Sequence, residues 1–211
     1  MSVPSFADAI YSNTSNDLST RFDTGTAEVG DEVTLESTGF LTSFSLEYWA
    51  ENSASSSAFA GNVEARVRLY RNNGELVSGY ASPSDFIYDS GWFSLGAPTS
   101  RSTINFAAGV DWSPSGLFIA DNNITWSIQF QGLGSTDSAG LDVFNPPTVG
   151  SSYDDYWWRD PGTGEWSLLQ DGSGIPMNFA ARFEATIPEP SSLSLVLLGG
   201  LGAVWMRRNR K

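Results

Sequence analysis

Apolar side chains between Ile10 and Ile187 recur at every second residue in several stretches, and nowhere do they hold a helical spacing over a long segment. Phe44, Leu46 and Tyr48 alternate with Ser45, Glu47 and Trp49, and Val63, Ala65, Val67 and Leu69 with Glu64, Arg66, Arg68 and Tyr70. The same holds for Ile124, Trp126, Ile128 and Phe130, and for Met177, Phe179, Ala181, Phe183 and Ala185. Successive side chains of a strand point to opposite faces, so each run reads as a strand with one buried face. Shorter strands are expected at 33–36, 86–88 leading into Trp92 and Phe93, 104–107, 141–144 and 166–169. Turns are expected at Asn72-Asn73-Gly74, Ser113-Pro114-Ser115-Gly116, Asn145-Pro146-Pro147, Asp160-Pro161-Gly162 and Asp171-Gly172. Glycine and asparagine tolerate positive φ there, and proline presets the first turn position. Eight or more short strands without helical segments predict an all-β fold, an antiparallel β-sandwich of jelly-roll type over residues 10–187.

Composition removes whole classes of chemistry. With no His and no Cys, the chain lacks the Ser-His-Asp triad, thiolate nucleophiles, disulfides and the usual zinc ligands. Carboxylates remain, and two of them can in principle hydrolyse a glycoside, but 24 acidic residues single out no pair, and a non-enzymatic protein is expected. Charge is also unevenly placed: residues 1–187 carry 7 Arg against 23 acidic groups, net −16, whereas Arg207, Arg208, Arg210 and Lys211 crowd the last five positions. Such a body repels phosphate backbones, so a nucleic-acid partner is not expected.

Two clusters in the body suggest ligands. Tyr153, Tyr156, Trp157 and Trp158 lie in one run with Asp154, Asp155, Arg159 and Asp160. Exposed Tyr and Trp rings would make this run a platform for sugar rings, with carboxylates and guanidinium bonding the hydroxyls. Alternation argues for a different outcome, with Tyr156 and Trp158 inward and Trp157 on the other side. Asp154, Asp155 and Asp160, with Asp137, Asp142 and Asp171 as more distant candidates, are oxygen donors for a structural Ca²⁺; no cofactor is otherwise expected.

The ends of the chain differ from its body. Residues 1–9 close on the small-x-small pattern Ala7-Asp8-Ala9, which suits either the remnant of a signal peptide or a disordered N-terminus. At the other end, Pro188-Glu189-Pro190 precedes an apolar stretch, 191–206, and the basic cluster Arg207, Arg208, Arg210 and Lys211. The prolines break from the preceding strand, so a helix can start only after them. Sixteen residues at 1.5 Å rise span about 24 Å, against a hydrocarbon core of about 30 Å, and the arginines can snorkel across the difference. A short C-terminal transmembrane helix with a cytoplasmic basic end is expected, which places the body outside the cytoplasm.

The Pro-Glu-Pro box, a short apolar segment containing Gly199, Gly200 and Gly202, and the basic end together resemble the PEP-CTERM sorting signal of exported bacterial proteins. The resemblance implies a membrane partner and an integral-membrane exosortase that recognises Pro188-Glu189-Pro190 and cleaves near it. It also implies inner-membrane anchoring in transit, a final place in the cell envelope or outside, and a Gram-negative host that makes exopolysaccharide, the matrix polymer of biofilms. A second, partial likeness, carried by Glu28-Val29-Gly30-Asp31 and Asn145-Pro146-Pro147-Thr148-Val149-Gly150-Ser151, is to the anchor-bearing β-sandwich modules that precede such tails; no functional residue follows from it. The resulting organisation is 1–9, a body over 10–187, and a sorting and anchor segment over 188–211.

Overall fold

A computed structural model describes residues 7–187 of the chain. These residues form two antiparallel sheets and no helix. Sheet I runs β1 (Ala7–Ser12), β15 (Ala181–Thr186), β4 (Gly39–Asn52), β11 (Asp137–Phe144) and β2 (Asp17–Asp23). The opposite edge of β4 carries β8 (Thr99–Ala107) and β9 (Leu117–Ile119). Sheet II runs β14 (Trp166–Gln170), β13 (Asp155–Arg159), β3 (Glu28–Thr34), β10 (Asn123–Gln131), β5 (Glu64–Val77) and β6 (Tyr80–Asp89). Two short strands join it, β12 (Ser151–Ser152) on β3 and β7 (Phe93–Ser94) on β5.

The alternation predicted from sequence is what closes the core. Phe44, Leu46 and Tyr48 of β4 are buried against Trp126, Ile128 and Phe130 of β10. Phe44 meets Trp126 with ring centroids 5.9 Å apart, and Tyr48 meets Phe130 at 6.3 Å. Burying such rings removes about 150–250 Å² each from water and dominates the stability of a sandwich. The coarse expectation of a sandwich-like all-β fold is therefore met.

Several local expectations are corrected. Asn72-Asn73-Gly74 is not a turn but lies inside β5. The β5–β6 hairpin turns later, at Ser78 and Gly79, both at positive φ, with Val77 opposite Tyr80. Asn72 and Asn73 are held in the strand by cross-strand bonds, Asn72 Nδ2 to Asn123 Oδ1 and Asn73 Nδ2 to Asp85 Oδ2. The strand expected from Met177 begins only at Ala181; before it, Phe179 makes one isolated bridge to Val143 of β11 while its N–H donates to the Asp31 carboxyl. Strand β1 starts at Ala7 and pairs with β15, so the boundary expected at Ile10 falls within a strand. The expected transmembrane helix, the Pro188-Glu189-Pro190 box and the basic end lie outside the described residues, and among those described no helix is long and apolar enough to cross a membrane.

Candidate functional site

Sheet II is rolled. In a flat sheet β14 and β5 would stand four strand spacings apart, about 19 Å, yet their Cα atoms come within 8 Å. Trp166 of β14 meets Tyr70 of β5 edge-on at 5.6 Å between ring centroids. The face turned away from sheet I thus becomes the inside of a trough, which carries the buried polar side chains Glu28, Glu32, Arg68, Thr125 and Ser127 beside the rings of Tyr70 and Trp157.

Burying charges without partners costs several kcal/mol, so such a trough is stable only when its polar atoms satisfy one another. Glu28 meets that condition. Its carboxylate accepts from Arg68 Nη1 at 2.5 Å, Tyr70 Oη at 2.6 Å, Ser127 Oγ at 2.6 Å and Arg159 Nη1 at 3.3 Å. Arg68 also bonds Asp89 at 3.2 Å, and Arg66 bonds both oxygens of Asp89, whose carboxyl is held down at about 2 chiefly by that arginine. Glu32, four residues along β3, accepts from Asn123 Nδ2 at 2.8 Å and Trp157 Nε1 at 3.2 Å. Gly30 between them makes room, since a Cβ there would stand 2.8 Å from Thr125 Cγ2 and 3.0 Å from the Trp126 carbonyl oxygen.

The trough opens at one end into a cleft of about 990 Å³ lined by Glu32, Arg71, Asn72, Asn73, Tyr80 and Asn123, among others. Tyr80, half exposed, stands at the rim beside the equally exposed Tyr153, with ring centroids 6.4 Å apart. Arg71 is tied to Asp121 at 3.3 Å. Each of the seven described arginines has a carboxylate partner. The cleft therefore offers amide donors and acceptors, the carboxylates of Glu32 and of Asp121, the latter paired with Arg71, and a tyrosine ring, with no cation left unpaired among the described residues.

The sequence-predicted residues separate accordingly. Trp157 is fully buried in the trough, and Tyr156 lies in the hydrophobic core with Trp158 packed against it. The four-residue aromatic platform is thus corrected: alternation along β13 sends its rings to opposite faces, both covered. Only Tyr153, which precedes the strand, keeps an exposed ring. Asp154, Asp155 and Asp160 do not converge either, because β13 holds Asp155 and Asp160 about 16 Å apart along an extended chain. Asp160 accepts from the Gly162 and Thr163 N–H groups, and Asp137 from Ala60, Gly61 and Gly134. Asp171 accepts from Ser173 and Ile175, and Asp142 faces Arg21 and Arg101. No group of three acidic side chains is placed to hold a metal ion among the described residues. The Tyr80 rim, Glu32 and Asn123 escape a reading of the sequence, because the polar residues alternating with apolar ones in β3, β5 and β10 resemble an ordinary solvated face.

A second polar cluster lies on the core side. Asp31, between Val29 and Val33, is fully buried and its carboxyl is pushed up to about 8, first by desolvation and further by the nearby charges of Asp155 and Glu32. It accepts from the Phe179 N–H at 3.0 Å and lies 2.6 Å from Ser152 Oγ. Ser152 has a single hydroxyl proton and also lies 3.0 Å from the Glu32 carbonyl oxygen. A neutral Asp31 donating to Ser152 satisfies all three groups.

Fold and site together define a two-sheet β protein with a rolled, polar-lined sheet and a cleft lined mainly by polar side chains. Residues 186–211 match the PEP-CTERM protein-sorting motif, so the chain carries the signal of an exported protein that crosses the membrane and is processed by an exosortase-type enzyme. Comparison with curated proteins and with solved structures gives no match, and the likeness of the body to anchor-bearing modules rests on its two short segments alone.

Proposed function

We propose that this is a non-enzymatic, exported β-sandwich protein of jelly-roll type, delivered to the cell envelope or extracellular matrix by its C-terminal motif. The observation that carries this reading is that the sorting motif begins at residue 186, on the last residue of β15. The apolar stretch 191–206 serves as the membrane segment, Arg207, Arg208, Arg210 and Lys211 orient it, and Pro188-Glu189-Pro190 is the recognition box for the processing enzyme, next in sequence to a folded body. The lack of an enzymatic role is supported by the trough. Glu28 is saturated by four donors, and four residues along a strand put it about 13 Å from Glu32, beyond the spacing a glycosidase pair uses.

Whole-mass spectrometry of the protein from an exosortase-containing bacterium tests the reading. The mature chain is expected to lack its apolar and basic end, whereas P188A/E189Q/P190A retains it and stays in the inner membrane. Identical masses and locations for the two would refute the sorting mechanism.

The cleft favours saccharide binding as the activity that is delivered. Tyr80 and Tyr153 provide ring faces at the rim, with Asn72, Asn73, Asn123 and Glu32 as hydroxyl partners. The acidic body and its paired arginines favour a neutral polymer, which makes an uncharged exopolysaccharide the fitting partner. Binding to a panel of neutral and acidic glycans is expected to be confined to neutral ones and to be lost in Y80A/Y153A. Retention of binding by that variant would place the site elsewhere.

A further inference from the structure

The corner of sheet I from which the tail leaves is apolar and uncovered. Phe118 of β9 and Phe40 of β4 are cross-strand partners with ring centroids 5.1 Å apart, and Thr186 pairs with Phe40 on its other side. Their exposures are 52% and 37%, and that of Ile187, the next residue along the chain, is 36%. Phe118 and Ile187 share a hollow of about 430 Å³ with Ser37, Thr38, Gly39 and Asn122, none of them charged. On a body of net charge −16, this corner combines exposed rings with a hollow of uncharged lining, and the nearest exposed acids along the chain are Glu36 and Asp121, the latter paired with Arg71.

We propose that the Phe40–Phe118–Ile187 corner rests in the headgroup layer of the bilayer while the tail is inserted, holding Pro188-Glu189-Pro190 at the membrane surface. The inference rests on the membrane-inserted tail described above. Chain length supplies the argument for a lipid occupant: from Ile187 to Ser191 there are four residue steps, at most about 14 Å of extended chain. An inserted segment starting at Ser191 thus keeps the corner within reach of the headgroups, whose layer is several ångströms thick on each side. Aromatic side chains partition favourably into this interfacial layer, and the lining of the hollow adds no charge to desolvate. The far end of the sandwich is kept away, because the 14 residues of β4 separate it from the corner by about 45 Å.

The absence of cysteine allows single labels to be placed. The full chain is reconstituted into phosphatidylethanolamine–phosphatidylglycerol vesicles with an environment-sensitive fluorophore on Asn122→Cys, beside the corner, on Ser57→Cys, in the exposed loop at the far end, or on Leu198→Cys, in the tail. Brominated lipids are expected to quench the labels at 198 and 122 several-fold more than the label at 57. Quenching at 122 is expected to fall to the level at 57 in F40S/F118S. Both phenylalanines are intact in the labelled parent, so the first comparison does not depend on the variant folding. Quenching at 198 with 122 no different from 57 overturns this inference alone. No quenching at 198 overturns the inserted tail and this inference with it. Shielding at 122 that follows protein density but not lipid bromination assigns the corner to a second copy of the chain and likewise overturns it.

Discussion

Replacing Asp31 with asparagine isolates the cost of a carboxyl group buried in the core of a sandwich. In the folded chain the group titrates at about 8, against an ordinary 3.8, because burial penalises the anion more than Ser152 and the Phe179 N–H offset it. Between those values the folded protein holds a proton that the unfolded chain releases, so the contribution to stability is greatest below about pH 4 and is lost progressively as pH rises towards 8. Each pH unit inside the window corresponds to about 1.4 kcal/mol, and the whole shift to roughly 5–6 kcal/mol. The asparagine side chain of D31N has no proton to lose and mimics the neutral acid, its Oδ1 accepting from the Phe179 N–H and its Nδ2 donating to Ser152. Urea denaturation of both proteins at pH 5, 6 and 7 measures the difference directly. Glu47, Asp142 and Asp155 are also raised by burial, and their contributions are common to both chains and cancel. The stability of D31N relative to the parent is expected to rise by about 2–3 kcal/mol from pH 5 to pH 7. Parallel pH profiles would show that Asp31 is ionised in the folded protein and would refute the assignment.

Truncating Trp157 to alanine removes a fully buried ring and the donor to Glu32, and thermal or urea melts should register a loss of roughly 3–5 kcal/mol; an unchanged melt contradicts its burial in the trough. Changing Glu28 to glutamine leaves Arg68 buried with only Asp89 as a carboxylate partner, and about 3–5 kcal/mol of stability should go with it. Gly30→Ala sets a methyl group against Thr125 Cγ2 and the Trp126 carbonyl. The expected cost is about 1–3 kcal/mol, whereas a neutral result would mean that β3 and β10 part more easily than their packing indicates. Tyr153→Ala, at an exposed rim, should shift the melt by less than about 0.5 kcal/mol, so that any lost glycan binding in that variant reports on the ligand and not on folding.

Much of the body is legible from sequence because strand alternation is a local property. Whether Phe44 or Ser45 faces the core follows from their positions in one strand, and the same rule places Trp157 opposite Tyr156 and Trp158. Once β3 is extended, alternation also puts Asp31 inward with Val29 and Val33, although an isolated Asp carries no sign of burial along the chain. The hairpin turn escapes such a reading because Asn72-Asn73-Gly74 has ordinary turn chemistry, and only the partners Asn123 and Asp85 on other strands hold it as a strand.

The sorting motif stands apart from the fold. It is a linear string, Pro188-Glu189-Pro190, an apolar segment and a basic end, so export and processing can be read from the order of residues without any knowledge of how the body folds. The trough is the opposite case. Glu28 meets Arg68, Ser127 and Arg159 across separations of 40, 99 and 131 residues, and nothing local distinguishes these side chains from a solvated face. Only the rolling of sheet II removes them from water and leaves a cleft at one end, because burial is a property of how strands curve against one another and not of the order in which residues occur along any one of them.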